Sequence, residues 1–530
     1  MMNRPCLSAS WRINMVSSIR PMDKNYLRMK HIVAVDIGTS STKAIALDLN
    51  GKIIAEHYVS YPIISPRPSY SEQDPEILFD AVVTCIAQVS KLMKIKYEQL
   101  DLLGVSFSSA MHGLIAMDSN GKPLTNCIIW ADTRSESFAE HLKGTSLGHD
   151  IYMNTGTPIH PMSPLCKLGW MRQHMKGVFE ATDKFISIKE YVFYKLFGEY
   201  VVDYSIASAT GLFETLTQKW YGPALEIAGI AADRLSTLVP ITHALTTLDA
   251  RYAEKMQINA DTPFIIGGSD GCLANLGAQA VRNGVASVTI GTSGAIRVVS
   301  DKLVADHKER IFSYIISPEM FVLGGAVNNG GNILRWFQDG FVASKDQPSD
   351  KSLPTAFNLL TKEASSVNAG SDGLIFLPYL TGERAPHWDA SAKGVFFGIQ
   401  MHHQRAHFIR AMMEGIIFGI FSVGKALEET AGELKVILAS GGFARSDLWV
   451  QMLADVFNKK VYVKESVESS AVGAAIVAMN ALQLIDGFIL DDDEFVPSIA
   501  AFDPNKENHA IYRENFGTFE RLYEKLKDEF

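Results

Sequence analysis

Residues 31–52 read HIVAVDIGTSSTKAIALDLNGK and contain two apolar strands joined by a turn that is dense in hydroxyl groups. The turn covers residues 38–42, and Asp36 stands just before it. Half a chain later, residues 286–300 read ASVTIGTSGAIRVVS and repeat the device. Such a turn presents backbone N–H groups and hydroxyl donors in a small volume, which suits phosphate. Two of these turns, each in the first hairpin of one half, predict a nucleotide triphosphate held from both sides.

The pattern around each turn predicts α/β architecture with two similar halves. In the first half, Asn50 and Gly51 mark a second turn, so that three antiparallel strands follow one another. Helical spacing over residues 75–94, with Asp74 as the N-cap, and a buried strand before Asp270 follow. The second half also opens on a hairpin and continues with mixed strands and helices. We predict domains over residues 31–280 and 281–530, with a deep cleft between them.

Amino-acid composition, net charge and cysteine content limit which classes of protein this sequence can belong to. The chain has 530 residues, of which 47% are hydrophobic and 20% are charged, so it has material for large cores. A net charge of −9, without a basic stripe after residue 30, argues against a nucleic-acid partner. Five scattered cysteines without a CxxC pair favour a reducing, cytoplasmic location.

Two segments invite a membrane or targeting interpretation. Residues 411–427 are strongly apolar, but Glu414 and Lys425 interrupt them, so we predict a buried helix and no membrane span. Residues 1–30 are basic and lack an apolar targeting core. We interpret them as a disordered N-terminal extension.

Neither GxxxxGK[ST] nor a GxGxxG that follows a strand occurs in the sequence. Asp36 is a candidate Mg²⁺ ligand, direct or through water, because magnesium prefers one or two carboxylates plus phosphate oxygens. Asp270 lies among glycines at a strand end and is the candidate base, since phosphoryl transfer to an alcohol needs one group to accept the hydroxyl proton. Lys43 follows the first turn and could reach a phosphate. Each assignment has an ordinary alternative: a turn cap for Asp36, a turn residue for Asp270, and a solvated strand lysine for Lys43.

With these pieces placed, residues 31–520 resemble the FGGY carbohydrate kinases, which belong to the actin/hexokinase/Hsp70 ATPase superfamily. The first family signature resembles MSPLCKLGWMRQH, residues 162–174, and the second resembles GVFFGIQMHHQRAHFIRAMMEG, residues 394–415. The matching positions are Lys167, Trp170, Gly398, His407, Ala411 and Glu414. The resemblance implies two actin-like, ribonuclease H-like domains that flank a deep cleft.

The resemblance also implies roles for particular positions. Asp270 would be the catalytic base and would contact the sugar, and Asp36 would belong to the first phosphate motif. The sugar would also contact a wall made of Met111, His112, Trp130 and Asp132. ATP would be held by residues of the two turns and of two later glycine-rich segments: Thr39, Ser40, Lys43, Gly291, Thr292, Gly331, Gly442 and Ser446.

Four segments, SAMHG, WADTRS, DYSIASATGLF and LTGERAPHWD, are most similar to the gluconate kinase branch. Xylulokinases share the Met-His pair and the GER-P segment and are the alternative. A gluconate carboxylate favours a nearby cation, for which Lys189, Arg134, Arg384 and His112 are available. A rival class is a non-catalytic ATPase of the actin or chaperone type, which would lack a sugar-binding wall. The expected partners are ATP and a sugar or sugar acid, and the family implies a homodimer.

Overall fold

The computed structural model describes residues 28–342, 353–464, 468–490 and 498–530, and it is built around two large β-sheets. The strands of the first half are β1 (Met29–Ile37), β2 (Ser41–Asp48), β3 (Ile53–Ser60), β4 (Glu72–Gln73), β5 (Leu100–Ser109), β6 (Ile115–Met117), β7 (Cys127–Ile128), β8 (Lys184–Ile186), β9 (Val201–Asp203), β10 (Phe213–Glu214), β11 (Lys219–Trp220), β12 (Thr237–Val239), β13 (Ala244–Leu245) and β14 (Phe264–Ser269). The helices are α1 (Pro75–Lys96), α2 (Glu136–Leu142), α3 (Ser146–Thr155), α4 (Pro164–His174), α5 (Lys176–Ala181), α6 (Ile188–Phe197), α7 (Tyr204–Ser208), α8 (Gly222–Ala228), α9 (Ala250–Met256) and α10 (Asp270–Gly277).

The first sheet has six strands in the order β13-β14-β5-β1-β2-β3. The three antiparallel strands predicted from the sequence are confirmed as β1, β2 and β3, and β5 and β14 extend the sheet in parallel. Helix α1 begins after Asp74, whose side chain accepts a hydrogen bond from the Glu76 N–H group, so the predicted N-cap is also confirmed. We call this sheet and the helices packed on it the first lobe.

The start of the first sheet corrects one sequence-based boundary. Met29 and Lys30 belong to β1, where they pair with Leu100 and Asp101 of β5. The extension predicted for residues 1–30 therefore reaches two residues too far, because parallel pairing with β5 holds these residues in the sheet. Residues 1–27, where the rest of that prediction falls, lie outside the described residues.

The second half contributes the other large sheet. Its strands are β15 (Val285–Ile290), β16 (Gly294–Ser300), β17 (Phe312–Ser317), β18 (Met320–Val327), β19 (Ile375–Leu377), β20 (Val395–Phe397), β21 (Val436–Ser440), β22 (Lys460–Lys464) and β23 (Ser498–Phe502). The helices are α11 (Gly331–Phe337), α12 (Leu353–Ala364), α13 (Arg405–Ala431), α14 (Asp447–Phe457), α15 (Ser469–Ala481) and α16 (Lys506–Leu526).

The second sheet repeats the plan of the first. Its order is β17-β18-β16-β15-β21-β22-β23, in which β18, β16 and β15 are antiparallel and β21 and β22 follow in parallel. We call this sheet, with α13, α14 and α16, the second lobe. The repeat explains why the hydroxyl-rich turn occurs twice: in each lobe it joins the first two strands of the sheet.

Helix α15 departs from the division predicted at residue 280. It follows β22 in sequence, but it packs against β1 and β5 of the first sheet and against α10. Two glycines allow this close approach. A β-carbon added at Gly277 would lie 1.9 Å from the Ser469 carbonyl oxygen, and one at Gly473 would lie 2.0 Å from that of Leu273. The chain therefore returns to the first lobe before it ends in the second.

Helix α13 forms the centre of the second lobe. By length and composition alone it is apolar enough to cross a membrane, but 72% of its most apolar window is buried inside the protein. The predicted buried helix is thus confirmed. The carboxylate of Glu414 accepts hydrogen bonds from Arg410 Nε at 2.9 Å, Gly370 N at 2.9 Å and Ser371 Oγ at 2.9 Å. This buried network joins α13 to the segment before β19.

We expect Glu414→Gln to lower the free energy of unfolding by about 3–5 kcal/mol, because it leaves the buried Arg410 guanidinium without a counter-charge. The matched control is Glu520→Gln, which removes an exposed pair with Lys425 (2.8 Å) and should cost at most about 1 kcal/mol. Urea-induced unfolding of both variants makes the measurement. Equal costs for the two substitutions would contradict the assignment of Glu414 to the core network.

Candidate functional site

A cavity of about 350 Å³ lies between the lobes, where the ends of strands from both sheets meet. We call it the first cavity. From the first lobe it is lined by Thr39, Met111, His112, Trp130 and Asp270, together with Ser470 of α15. From the second lobe it is lined by residues that include Gly291, Thr292, Arg297, Tyr314 and Arg384.

A second cavity of about 330 Å³ adjoins the first, and both are lined by Gly291 and Thr292. Gly331, Gly442 and Ser446, which were predicted to hold ATP, all line the second cavity. Ser446 is also the N-cap of α14, where its side chain accepts a hydrogen bond from Trp449 N. The rings of Phe357 and Trp449 stack at 5.8 Å on the same wall. The arrangement provides a slot with flat apolar faces beside a phosphate-type turn.

The two hydroxyl-rich turns face each other only in part. Thr39 reaches the first cavity, and its Oγ1 accepts a hydrogen bond from Trp130 Nε1 at 2.9 Å. Ser40 is exposed at the tip of its turn and lines neither cavity. Lys43 also lines neither, because its Nζ donates to Glu468 Oε1 at 2.6 Å. The structure therefore brings Thr39, Gly291 and Thr292 together and leaves Ser40 and Lys43 at the edge.

Asp36 and Asp270 are half-buried carboxylates that repel each other electrostatically. Burial, with Asp270 and Glu468 nearby, raises the pKa of Asp36 to about 7. Burial also raises the pKa of Asp270, against the opposing effects of Arg297, the Gly271 N–H group and Lys189. Asp270 is the first residue of α10, and its Oδ1 accepts from Gly271 N at 2.7 Å. A buried acid at a helix N-terminus, open to a cavity, suits proton acceptance.

The Oδ1 atom of Asp36 is buried and has no hydrogen-bond partner among the described residues. An orphaned carboxylate oxygen of this kind is costly unless a cation or donor meets it. Within the described part of the chain, no group of three His, Cys, Asp or Glu residues is arranged to bind a metal ion. The donor set therefore fits an ion that takes one or two carboxylates and completes its shell with ligand oxygens and water, as Mg²⁺ does.

Met111 and His112, which were predicted to contact the sugar, both line the first cavity. His112 has a positive φ of 67°, and its Nδ1 lies 2.7 Å from the Ala209 carbonyl oxygen. Burial and the nearby Lys167 lower the pKa of His112 to about 3, so the ring is neutral. Lys167, the signature lysine, donates to the carbonyl oxygens of His112, Ile128 and Ile129 at 2.6–3.0 Å. It therefore positions the wall from behind.

Asp132 is the one predicted wall residue that does not line the first cavity. Its side chain is fully buried and accepts from Ser71 N at 2.7 Å and from the Arg134 guanidinium at 2.7–3.0 Å. Arg134 in turn lies over the Tyr70 ring and bonds to Glu72. In the WADTRS segment, Trp130 therefore lines the cavity, whereas Asp132 forms a buried ion pair with Arg134.

Of the cations predicted to bind a substrate carboxylate, some are committed to buried ion pairs and others line the first cavity. Lys189 is buried against Asp203 at 2.6 Å, and Arg134 is paired with Asp132. Arg384 does line the first cavity, with its guanidinium 4.8 Å from the Trp130 ring centroid. Sequence reasoning missed Arg297, although an arginine inside the apolar run AIRVV of β16 is a visible signal. It also missed Tyr314, which no local motif marks.

Comparison with known proteins agrees with this geometry. The model for the FGGY family of carbohydrate kinases, N-terminal domain, matches residues 31–277, and the model for the C-terminal domain of the same family matches residues 286–482. The chain belongs to the FGGY family of carbohydrate kinases. The fold is accordingly the two-domain, actin-like ATPase fold with a ribonuclease H-like sheet in each lobe, as predicted.

Individual FGGY relatives cover almost the whole chain. A gluconokinase of Bacillus subtilis (strain 168) is 44% identical over 501 residues, which are 94% of this chain and 97% of that protein. A xylulose kinase of the same organism is 30% identical over 509 residues, covering 94% and 98%. Two solved structures from Lactobacillus acidophilus, one of a gluconate kinase and one of a ligand-bound xylulose kinase, each match with a TM-score of 0.87, 34% identity and coverage of 94% and 98%.

We expect Trp130→Phe to lower kcat/KM for ATP roughly 2- to 10-fold, because it deletes the hydrogen bond to Thr39 and keeps an aromatic ring beneath Arg384. Trp220→Phe is the control, since Trp220 Nε1 bonds to the Ser236 carbonyl oxygen at 3.3 Å, away from both cavities. Initial rates of ADP release report the effect. If both variants had the kinetics of the parent enzyme, ATP use would not depend on the hydrogen bond between Trp130 and Thr39 in the first turn.

Proposed function

We propose that the protein transfers the γ-phosphoryl group of ATP to the terminal hydroxyl of D-gluconate, giving 6-phospho-D-gluconate. The observation that supports gluconate as the substrate is the 44% identity to a gluconokinase over 94% of the chain, compared with 30% identity to a xylulose kinase over the same share. The two Lactobacillus structures match equally well and do not discriminate. Xylulose, or another ketose or polyol, is the alternative substrate.

In this proposal the sugar acid occupies the first cavity, against Met111, His112 and Trp130, and ATP occupies the second cavity. Both cavities share Gly291 and Thr292, which supports placing the transferred phosphate at this turn. Thr39 approaches it from the other lobe. Gly331, Gly442 and Ser446 contribute to the nucleotide slot, while Ser40 and Lys43 would contact phosphates only after a further approach of the lobes.

Asp270 accepts the proton of the terminal hydroxyl as its oxygen forms a bond to the γ-phosphorus and the bond to the leaving ADP oxygen breaks. Its burial supports this role, because a carboxylate withheld from water is a stronger base. Closure of the lobes excludes water, so that the alcohol and not water receives the phosphoryl group.

FGGY kinases use ATP with a divalent metal ion, and we propose that this ion is Mg²⁺ held by Asp36. The unpartnered Oδ1 of Asp36 and the raised pKa of its carboxyl group support the assignment, since a cation would relieve both. When bound, Mg²⁺ neutralises phosphate charge. Asp132, in contrast, would act on the sugar only through the position of Trp130.

Three further attributes belong to the proposal. The family matches end at residue 277 and resume at 286, which supports a boundary near residue 280 apart from α15. Cys85, Cys127, Cys166 and Cys272 are buried free thiols, which supports a reducing cytoplasm. A homodimer rests on the family resemblance alone.

The substrate assignment is tested with a panel of aldonates, ketoses and polyols in an ADP-release assay. We expect the highest kcat/KM for D-gluconate, with D-xylulose and glycerol well below it. A preference for D-xylulose would replace gluconate by the alternative. ATP hydrolysis that no sugar stimulates would favour a non-catalytic ATPase role.

We expect Asp270→Asn to retain binding of both substrates and to lose roughly 10²- to 10⁴-fold in kcat, because the amide cannot accept the hydroxyl proton. Asp261→Asn is the control, since Asp261 is exposed on the same lobe. Calorimetric titration measures binding, and steady-state rates measure turnover. Near-parental kcat in Asp270→Asn would overturn the base assignment.

A further inference from the structure

We propose that Arg297 binds the carboxylate of the sugar acid and thereby sets the preference for aldonates over neutral sugars. This inference rests on the proposed function and adds the residue that recognises the substrate class. Arg297 is not among the cations that the sequence suggested for this carboxylate.

The state of the Arg297 side chain is the first argument. Arg297 lines the first cavity, and its Nε is buried without a hydrogen-bond partner in the part of the chain that the structure describes. No carboxylate of the described residues lies within 4.0 Å of its guanidinium or of that of Arg384. Arg297 is half-buried, and a guanidinium whose Nε is buried without a hydrogen bond and without a carboxylate at ion-pair distance is unfavourable. A bidentate carboxylate is the ligand that fits its planar fork.

The surroundings of Arg297 are the second argument. Tyr314, on β17, which is separated from β16 by β18, also lines the first cavity, and its buried hydroxyl has no partner among the described residues. Arg384 adds a second positive charge, but its Nε donates to Asn328 Oδ1 at 2.7 Å. Two residues that line the first cavity, Arg297 and Tyr314, therefore each carry a donor without a partner, which suits an anionic group better than a neutral hydroxyl.

The fold makes room for the guanidinium with two glycines. A β-carbon at Gly324, the β18 partner of Arg297, would lie 3.0 Å from Arg297 Cγ. One at Gly271 would lie 3.3 Å from Arg297 Nε. The side chain thus passes from the second sheet towards the N-terminus of α10.

Strand β16 also sets the distance between phosphate and carboxylate. It begins at Gly294, next to the turn, and Arg297 lies three residues further on. At about 3.3 Å per residue this is roughly 10 Å along the strand. An extended six-carbon acid that carries a phosphoryl group at its far end can bridge such a distance.

Arg297 has a competing role that the test must separate. Its charge is the main effect that opposes the burial of Asp270, so it could act on turnover through that carboxylate alone. A role through Asp270 changes kcat for every acceptor. A role in carboxylate recognition changes KM, and only for acceptors that carry the carboxylate.

The experiment compares D-gluconate with D-glucitol, which has the same carbon chain and a CH₂OH group in place of the carboxylate. For Arg297→Gln we expect a roughly 10- to 100-fold rise in KM for gluconate, from loss of a charged hydrogen-bonded pair. The inhibition constant of glucitol against gluconate should change less than threefold. Arg297→Lys keeps the charge without the fork and should fall between the parent enzyme and Arg297→Gln.

Arg251→Gln is the matched control, since Arg251 is exposed, pairs with Asp249 at 2.7 Å and lines neither cavity, so the KM for gluconate should stay unchanged. Melting temperatures establish that each variant is folded. An unchanged gluconate KM in folded Arg297→Gln, or equal weakening of gluconate and glucitol, would overturn the inference. Failure of the proposed function is distinguishable, because the parent enzyme would then not phosphorylate gluconate at all.

Discussion

Four half-buried ionisable side chains lie at or near the first cavity: Asp270, Arg297 and Arg384 line it, and Asp36 interacts electrostatically with Asp270 from outside the lining. Their mutual electrostatics govern the site. Burial disfavours every one of these charges, raising the pKa of the acids and lowering the pKa of Arg384 to about 10. The substrates of a sugar-acid kinase bring the complementary charges: a metal-bound phosphate chain for one end and a carboxylate for the other. The protein by itself therefore holds an electrostatic imbalance, which the substrates of the proposed function would relieve.

The fold creates this imbalance by placing each group at the end or edge of a regular element. Asp36 lies near the end of β1, Asp270 opens α10 directly after β14, and Arg297 lies on β16. Both sheets order their strands alike apart from the additional β17, and the corresponding turns of the two lobes both contribute residues to the first cavity. Behind the cleft, Lys167 and Asp132 hold the wall segments through buried hydrogen bonds. The position of the cavity wall therefore depends on buried polar side chains that do not themselves line the cavity.

Local signals predicted much of this arrangement. The N-cap at Asp74, the antiparallel opening strands, the buried helix around Glu414 and the two phosphate-type turns are properties of short segments, and the structure contains all of them. The direction in which a polar side chain points is different, because it depends on partners far away in sequence. Lys43 turns to Glu468, and Asp132 turns to Arg134 and Ser71. Arg297 was overlooked for the same reason, since only the packing of β16 against α10 makes it face the cavity.

The contact between Gly277 and Gly473 has a mechanical consequence. Since α15 packs on the first sheet while β22 and β23 belong to the second, the described elements cross the cleft after α10, before α15 and again after α15. Several side-by-side chain crossings between two lobes favour bending about one axis over sliding or twisting of the lobes. Asp270, at the start of α10, belongs to the pivot of this bending, so a movement of one lobe about it would leave the alignment of Asp270 with the first sheet unaltered. A bulkier residue at either glycine would wedge the pivot apart and disturb that alignment from a site that meets no substrate.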